Sequence, residues 1–510
     1  MDETPPTSAS AIAAPSSPSP ASRLAVNFRL LLLILAKLPL LTRVAILHAL
    51  RLSEPAKYVD LQSNLVVSFI RALLTPSTPR PISYAQKLTT RDTEIRGRIW
   101  ISSYASPPPP ETDIRDALLR IVESTRYPHP SGSGSSSSES TTTTTTTRVP
   151  QLTPVQAEWT GYRAAASKRE PLPAMSEADK YRAMMKECRE PTTVLYFHGG
   201  AYYLCDPATH RHVVKRLAKL TGGRCYSVRY RLAPQDPFPS ALLDALVSYF
   251  TLLYPPPDAY HEAVKPYHVV FAGDSAGGNL ALALLQLILE LRRQNTRIQW
   301  YGESRTVPLP AGVSCASPWL DITHSSPSWQ GEDPHPFDYL PKPRPDAMAR
   351  IPPCDIWPAN PPRKHIYVDD DMVAHPLATL LMSRSWEGSP PIWMCTGWEI
   401  LAYEDKALAM KLFADGVPLV FEEYEAMPHV FALLLSHAPA SRRCFESWAS
   451  FIRRSVQDPT SIEASATSIK ARTLEETSLK FEELLEDSLE DVQASVAMKA
   501  GLKTEWTARL

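Results

Sequence analysis

From about residue 149 to 457 the chain alternates short apolar runs with longer helical ones, and this alternation restricts the fold more than any other feature. VQAEWTGY, TTVLYFHGG, CYSVRYRL, HVVFAGD, AGVSCASPW and PPIWMCTGW read as strands. SALLDALVSYFTLL and GGNLALALLQLILELRRQ read as helices between them. Strands alternating with helices predict a mostly parallel central sheet covered by helices on both faces.

Glycine sharpens the reading because the chain uses so little of it. Only 18 of 510 residues are glycine, against 50 prolines, and five of those glycines fall in two short clusters directly after apolar strands. The second cluster is Gly273-Asp274-Ser275-Ala276-Gly277-Gly278, between VVFA and the helix NLALALLQLILEL. G-x-S-x-G at a strand-to-helix turn lets the backbone double back, so that a serine hydroxyl projects above the sheet edge. The N–H groups after Ser275 then open a helix N-terminus, which favours a developing anion. The first cluster is His198-Gly199-Gly200-Ala201, after VLYF. Small residues there allow close backbone approach, so Gly200 and Ala201, with Ala276, are the expected oxyanion-hole N–H donors. His198 and Gly199 are expected to orient that loop.

A serine in this setting needs a base and an acid. His429, in EEYEAMPHVFALLL, follows a strand-like run and respects the chain order Ser, acid, His. Glu399, Glu404 and Asp405, in CTGWEILAYEDKALAMKLF, are the candidate acids. Glu399 comes directly after its strand, where a carboxylate reaches the histidine. Glu404 and Asp405 lie a turn later and are expected on the helix surface.

The chain resembles the hormone-sensitive-lipase-like branch of the α/β-hydrolase superfamily, the HGG/GDSAG esterases and lipases. The resemblance rests on VLYFHGGAYY, YRLAPQDPFPSALLDA, VVFAGDSAGGNLAL, SPWLDIT, HPLA, TGWEILAYEDKALAMKL and MPHVF, in family order over about 190–435. It implies an α/β-hydrolase fold with an N-terminal helical cap, and Ser275 as nucleophile with His429 as base. It also implies two-step acyl transfer on a small hydrophobic ester, with no metal or organic cofactor. The family's acid, usually aspartate, falls on Glu399. Ala201 stands for the commoner third glycine, and Gln235 for the usual glutamate after YRLAP. Two rivals follow from the same scaffold: deformylation of aryl-formamides, and a non-catalytic receptor like the plant gibberellin receptors, which have lost the histidine this chain keeps.

The flanks are expected to divide as follows. Residues 1–23, rich in Pro, Ser, Ala and Thr, cannot form a core. Residues 24–130 form an apolar segment and the cap. The Ser/Thr run of 131–148 is a linker, 149–457 the hydrolase domain with a proline-rich insertion at 325–365, and 458–510 an acidic helical tail. The acidic start and the polar residues before the apolar run argue against a cleaved signal peptide. Within 24–51, Arg29, Lys37 and Arg43 interrupt the roughly 20 uncharged residues that a spanning helix needs. At about 100° per residue, Lys37, Arg43 and Arg51 fall about +80°, −40° and +40° from Arg29, one basic arc of about 120°. That pattern suits a helix lying in a membrane or droplet surface, or one packed on the catalytic domain. The expected location is thus intracellular, on the endoplasmic reticulum or a lipid droplet, or else cytoplasmic. With 53 basic and 54 acidic residues, no global basic field exists to hold nucleic acid. The seven cysteines show no CxxC or zinc spacing and are expected as reduced, mostly buried thiols.

Overall fold

A computed structural model describes residues 20–76, 78–90, 92, 94–127, 149–331, 333–343 and 348–502. Residues 1–19 of the expected polar N-terminus and the whole of the Ser/Thr linker, 131–148, lie outside the described residues. Three helices come first, α1 (Pro20–Ala49), α2 (Leu61–Leu74) and α3 (Ile82–Thr89), then β1 (Ile99–Ser106) and α4 (Asp113–Thr125). Next come β2 (Val155–Tyr162), α5 (Glu177–Met185), β3 (Thr193–Phe197), α6 (Pro207–Thr221), β4 (Arg224–Arg229), α7 (Ser240–Leu253), β5 (Val269–Asp274) and α8 (Ala276–Arg293). A small hairpin of β6 (Ile298–Trp300) and β7 (Glu303–Arg305) precedes β8 (Gly312–Ala316). After a long irregular stretch follow β9 (Ile392–Gly397), α9 (Ala402–Ala414), β10 (Leu419–Tyr424), α10 (Phe431–Leu434) and α11 (Pro439–Gln457). The chain then adds β11 (Ser465–Ile469), β12 (Glu476–Leu479) and α12 (Leu489–Lys499).

The described strands other than the hairpin form one sheet, in the order β1-β2-β4-β3-β5-β8-β9-β10-β11-β12. It is parallel from β4 to β11 and antiparallel at both ends. Two apolar cores flank it. One, under α4, α7, α8 and α9, is filled by residues such as Leu246, Leu284, Phe271 and Leu412. The other, under α6 and α11, holds Val213, Leu217, Phe445 and Trp448. In that second core Trp448 stacks on Trp393 of β9, with ring centroids 5.3 Å apart. Burial on both faces is what makes the central strands apolar from end to end.

Strand order reverses between β3 and β5, which pair directly through Phe197 and Gly273. In open α/β sheets such a reversal leaves a crevice outside the carboxyl ends of the strands. The His198 loop leaves β3 there and the Ser275 turn leaves β5 there, so topology alone brings the two glycine clusters together.

Three expectations about the flanks need correction. The segment 24–130 is not all cap: β1 pairs along its length with β2, and α4 packs into the main core. Elements on both sides of the Ser/Thr run, β1 before it and β2 after it, build the same sheet. The tail after 458 is not simply helical either, because β11 pairs parallel to β10 and β12 closes the edge antiparallel. An open edge on β10 supplies backbone partners to residues with little strand character of their own. Finally, the basic arc is incomplete. Helix α1 ends at Ala49, and Arg51 lies beyond it with a left-handed φ of 56°.

Among the described residues, no helix is long and apolar enough to cross a membrane. Helix α1 packs on α2, and His48 Nδ1 lies 3.0 Å from the Asn64 amide. Among its described side chains, Leu35 and Ile46 are 47% and 53% exposed, and Arg43 is exposed as well. All seven cysteines are free thiols; Cys225, Cys315, Cys395 and Cys444 are buried.

Candidate active site

Ser275 sits between β5 and α8 with φ 53° and ψ −123°, a backbone conformation that costs of order 1–3 kcal/mol for a residue with a side chain. The surrounding glycines permit it. A Cβ on Gly273 would lie 2.2 Å from the Gly277 carbonyl oxygen, and one on Gly277 would lie 2.1 Å from that of Phe197. The turn is pinned from outside: Ser275 N–H donates to the Ala316 carbonyl at 3.0 Å, and its own carbonyl accepts from Trp319 N–H at 3.0 Å.

The hydroxyl so presented meets His429. Nε2 of His429 lies 2.9 Å from Ser275 Oγ, and Nδ1 lies 3.1 Å from Glu399 Oε1. His429 and Glu399 are both buried, while Ser275 is half-buried. Ser317 completes the row by donating its hydroxyl to Glu399 Oε2 at 2.9 Å and accepting from Val430 N–H at 3.2 Å. Burial disfavours a charged imidazole, but the Glu399 carboxylate overrides it and the His429 pKa is raised above the ordinary value. For Glu399, burial pushes the carboxyl up and His429 with Ser317 pull against it.

Of the three candidate acids, only Glu399 reaches His429. Contrary to expectation, Glu404 and Asp405 are not on the helix surface but fully buried. Glu404 Oε1 accepts from the Leu320 N–H at 2.7 Å, so it organises the loop after β8. Burial, then the neighbouring Glu399 and Glu404, push the Asp405 carboxyl far above the usual carboxylate range. These positions follow the stripe of α9 that faces β9, which the acidic run concealed.

The loop after β3 curls tightly, with successive positive φ of 114°, 51° and 64° at Gly200, Ala201 and Tyr202. The N–H groups of Tyr203 and Leu204 close it onto the Gly200 carbonyl at 3.1 and 2.8 Å. Glycine is required at Gly200, since a Cβ would come within 2.3 Å of the Leu204 carbonyl oxygen. Gly199 lies directly against the serine turn: a Cβ there would stand 3.2 Å from Ser275 Cβ. Among the described residues nothing accepts from the N–H groups of Gly200, Ala201 or Ala276, leaving three donors around the crevice. His198 is buried beneath the loop, stacked on Tyr230 at 4.3 Å between centroids. Burial, then the nearby His210, push its pKa down to about 3. The neutral ring donates from Nδ1 to the Gly199 carbonyl at 2.8 Å, a contact that orients the loop.

The roles of several supporting residues escaped the sequence reading. Asp274 Oδ1 accepts from the Tyr196 hydroxyl at 2.5 Å and its Oδ2 lies 3.4 Å from His210 Nε2. Asn279 donates to the carbonyls of Trp319 and Ala378 at 2.7 and 2.9 Å and accepts from the Tyr202 hydroxyl at 2.6 Å. Gln235, where the family pattern has glutamate, exchanges amide hydrogen bonds of 2.8 and 3.2 Å with Gln86 of α3. This pair fastens the cap to the sheet. From α2, Val67 packs with Tyr339 of the proline-rich insertion and Val430 beside His429. The Tyr339 ring lies 6.0 Å from the imidazole. Cap and insertion thus both reach the site. Among the described residues, no group of three or more His, Cys, Asp or Glu could hold a metal ion.

Residues 194–433 match a family model described as the alpha/beta hydrolase fold. The chain is 31% identical over 262 residues to an acetyl-hydrolase of Streptomyces hygroscopicus, covering 51% of this chain and 75% of that protein. The chain belongs to this family. It is a carboxylic ester hydrolase. An esterase of Acinetobacter venetianus is 29% identical over 259 residues, covering 51% of this chain and 73% of the relative. The carboxylesterase/phospholipase LipF of Mycobacterium tuberculosis is 28% identical over 267 residues, covering 52% and 62%.

Proposed function

We propose that the protein hydrolyses hydrophobic carboxylic esters by two-step acyl transfer, with Ser275 as nucleophile, His429 as general base and acid, and Glu399 as the triad acid. The observation that carries this reading is the unbroken row Glu399–His429–Ser275, at 3.1 and 2.9 Å, on a strained turn at the sheet's reversal point. His429 takes the proton as Ser275 Oγ attacks the ester carbonyl, and Glu399 holds the imidazole tautomer and stabilises the imidazolium. The N–H groups of Gly200, Ala201 and Ala276 receive the oxyanion. His429 then protonates the departing alcohol. Water, activated by the same histidine, attacks the acyl-serine and releases the carboxylic acid.

The apolar cluster of Val67, Tyr339 and Val430 packed beside His429 supports a lipophilic ester. Helix α1 supports access from a lipid surface: it shows leucine and isoleucine outward, and no acidic residue occurs between Glu3 and Glu54 while Arg23, Arg29, Lys37, Arg43 and Arg51 do. An anionic phospholipid surface suits that combination. Flotation with phosphatidylserine vesicles tests it; binding should weaken in Leu35→Glu/Ile46→Glu, and failure of the intact chain to float would refute it.

Hydrolysis of p-nitrophenyl esters from two to sixteen carbons, in wild type and Ser275→Ala, tests the chemistry. Activity that is lost in Ser275→Ala is the expected outcome, and the chain-length optimum then separates esterase from lipase. Equal inertness of both proteins on every ester, with turnover of formylated arylamines by wild type, would replace the ester reading with the amide one.

A further inference from the structure

The proline-rich insertion carries a buried carboxylate that no step above uses. Asp338 is fully buried. Its Oδ1 accepts from the N–H of His429 at 3.2 Å and from that of Tyr339 at 2.7 Å. Its Oδ2 accepts from the N–H of Ile400 at 2.9 Å, the residue that follows Glu399. One side chain therefore grips the two loops that present the acid and the base, although those loops leave different strands. The insertion itself is held by the cap. Arg71 of α2 donates through Nε to the Asp338 carbonyl at 2.9 Å, and through Nη2 to the carbonyls of His335 at 2.6 Å and Pro336 at 3.3 Å.

We propose that Asp338 is a positioning residue for ester hydrolysis, a carboxylate that locks the Glu399 and His429 loops in register and is delivered to them by Arg71 of the cap. The proposal rests on the triad reading above. It also gives the proline-rich insertion a role besides cover: the site is complete only when cap and insertion are seated. Backbone amides gripped by an ionised carboxylate are among the stronger protein hydrogen bonds. Misplacing a reacting group by about 1 Å can cost about 10²-fold in rate. The charges facing His429 are Glu399, Asp338 and Asp274, and each favours the imidazolium.

The test is steady-state kinetics on the best p-nitrophenyl ester against pH, for wild type, Asp338→Asn and Arg71→Gln. Asparagine keeps the size but can accept for only one of the two loops and removes a negative charge. The expected result for Asp338→Asn is a fall in kcat of about 10²-fold with KM within about threefold, and an acid limb moved to lower pH. For Arg71→Gln the account expects a fall in kcat of about three- to tenfold with the limb unmoved, by loosening of the same grip. Asp338→Asn activity within threefold of wild type would overturn the proposal, as would a loss with an unmoved acid limb. If Asp338→Asn does not fold, unchanged kcat in Arg71→Gln overturns it. Failure of the triad reading is seen separately, as wild-type activity that survives Ser275→Ala.

Discussion

Replacing Glu399 by glutamine isolates the charge of the triad acid from its shape. His429 and Glu399 are 3% and 2% exposed, so the imidazolium formed during catalysis has little solvent to replace the lost carboxylate. The glutamine amide has two ways to sit. With its oxygen toward His429 Nδ1 the tautomer is kept, and only a charge-assisted bond worth about 1.5–3 kcal/mol is lost, about 10–10² in rate. With its NH₂ toward Nδ1 the ring must carry its proton on Nε2, facing Ser275, and a base in the wrong tautomer costs about 10⁴. Ser317 biases the choice. It donates to Glu399 Oε2 and already accepts from Val430 N–H, so an amide NH₂ on that side would force the hydroxyl to turn. The expected fall in kcat is therefore about 10²–10⁴, with the acid limb of the pH profile moving down because the carboxylate no longer favours the imidazolium. Asp405→Asn, assayed on short-chain p-nitrophenyl esters, should stay within a few-fold of wild type, since His429 Nδ1 is bonded to Glu399 and not to that carboxyl. A larger loss in Asp405→Asn than in Glu399→Gln would refute the assignment, and so would Glu399→Gln activity within tenfold of wild type.

Other expectations follow from the same contacts. His429 must be neutral to act as base, and its pKa is raised, so the acid limb of kcat/KM should have its midpoint above the ordinary histidine value of about 6.5; a midpoint below it would contradict the Glu399 pairing. Gly200→Ala should cut kcat by about 10²–10³ with the fold retained by circular dichroism, because a Cβ at φ 114° forces the donor loop open. Undiminished activity would remove that loop from the oxyanion site. Gln235→Glu should lower stability by about 1 kcal/mol in denaturant unfolding, since Gln86 Oε1 loses its donor; a gain in stability would show that the amide pair is not what fastens α3.

What was legible in the sequence had a steric or chemical reason to be written locally. The turn at Ser275 needs glycines at 273 and 277 because their Cβ atoms would strike neighbouring backbone, and a chain with so few glycines makes that need visible. The parallel sheet was legible through its apolar strands. Residues whose roles depend on distant partners were not. Ser317 and Asp338 mean nothing until β8, the insertion and the loops after β9 and β10 are brought together. Asp405 looked like one more charge on a helix, and only the packing of α9 on β9 shows it buried. The strands β11 and β12 were hidden by composition, since ETSL and SATSI pair because an edge is available rather than because they are apolar. Whether the Ser/Thr run divides two folding units could not be read locally, because the answer lies in β1 before it pairing with β2 after it.

The central claim is that an acyl group passes through Ser275. Rapid quenching during turnover of p-nitrophenyl acetate, followed by mass spectrometry of the peptides, reads this directly. The account predicts one acetyl group on the peptide that contains Ser275, formed as fast as p-nitrophenol is released, and absent in Ser275→Ala. Full turnover with no acetylated Ser275, or undiminished turnover by Ser275→Ala, would contradict it.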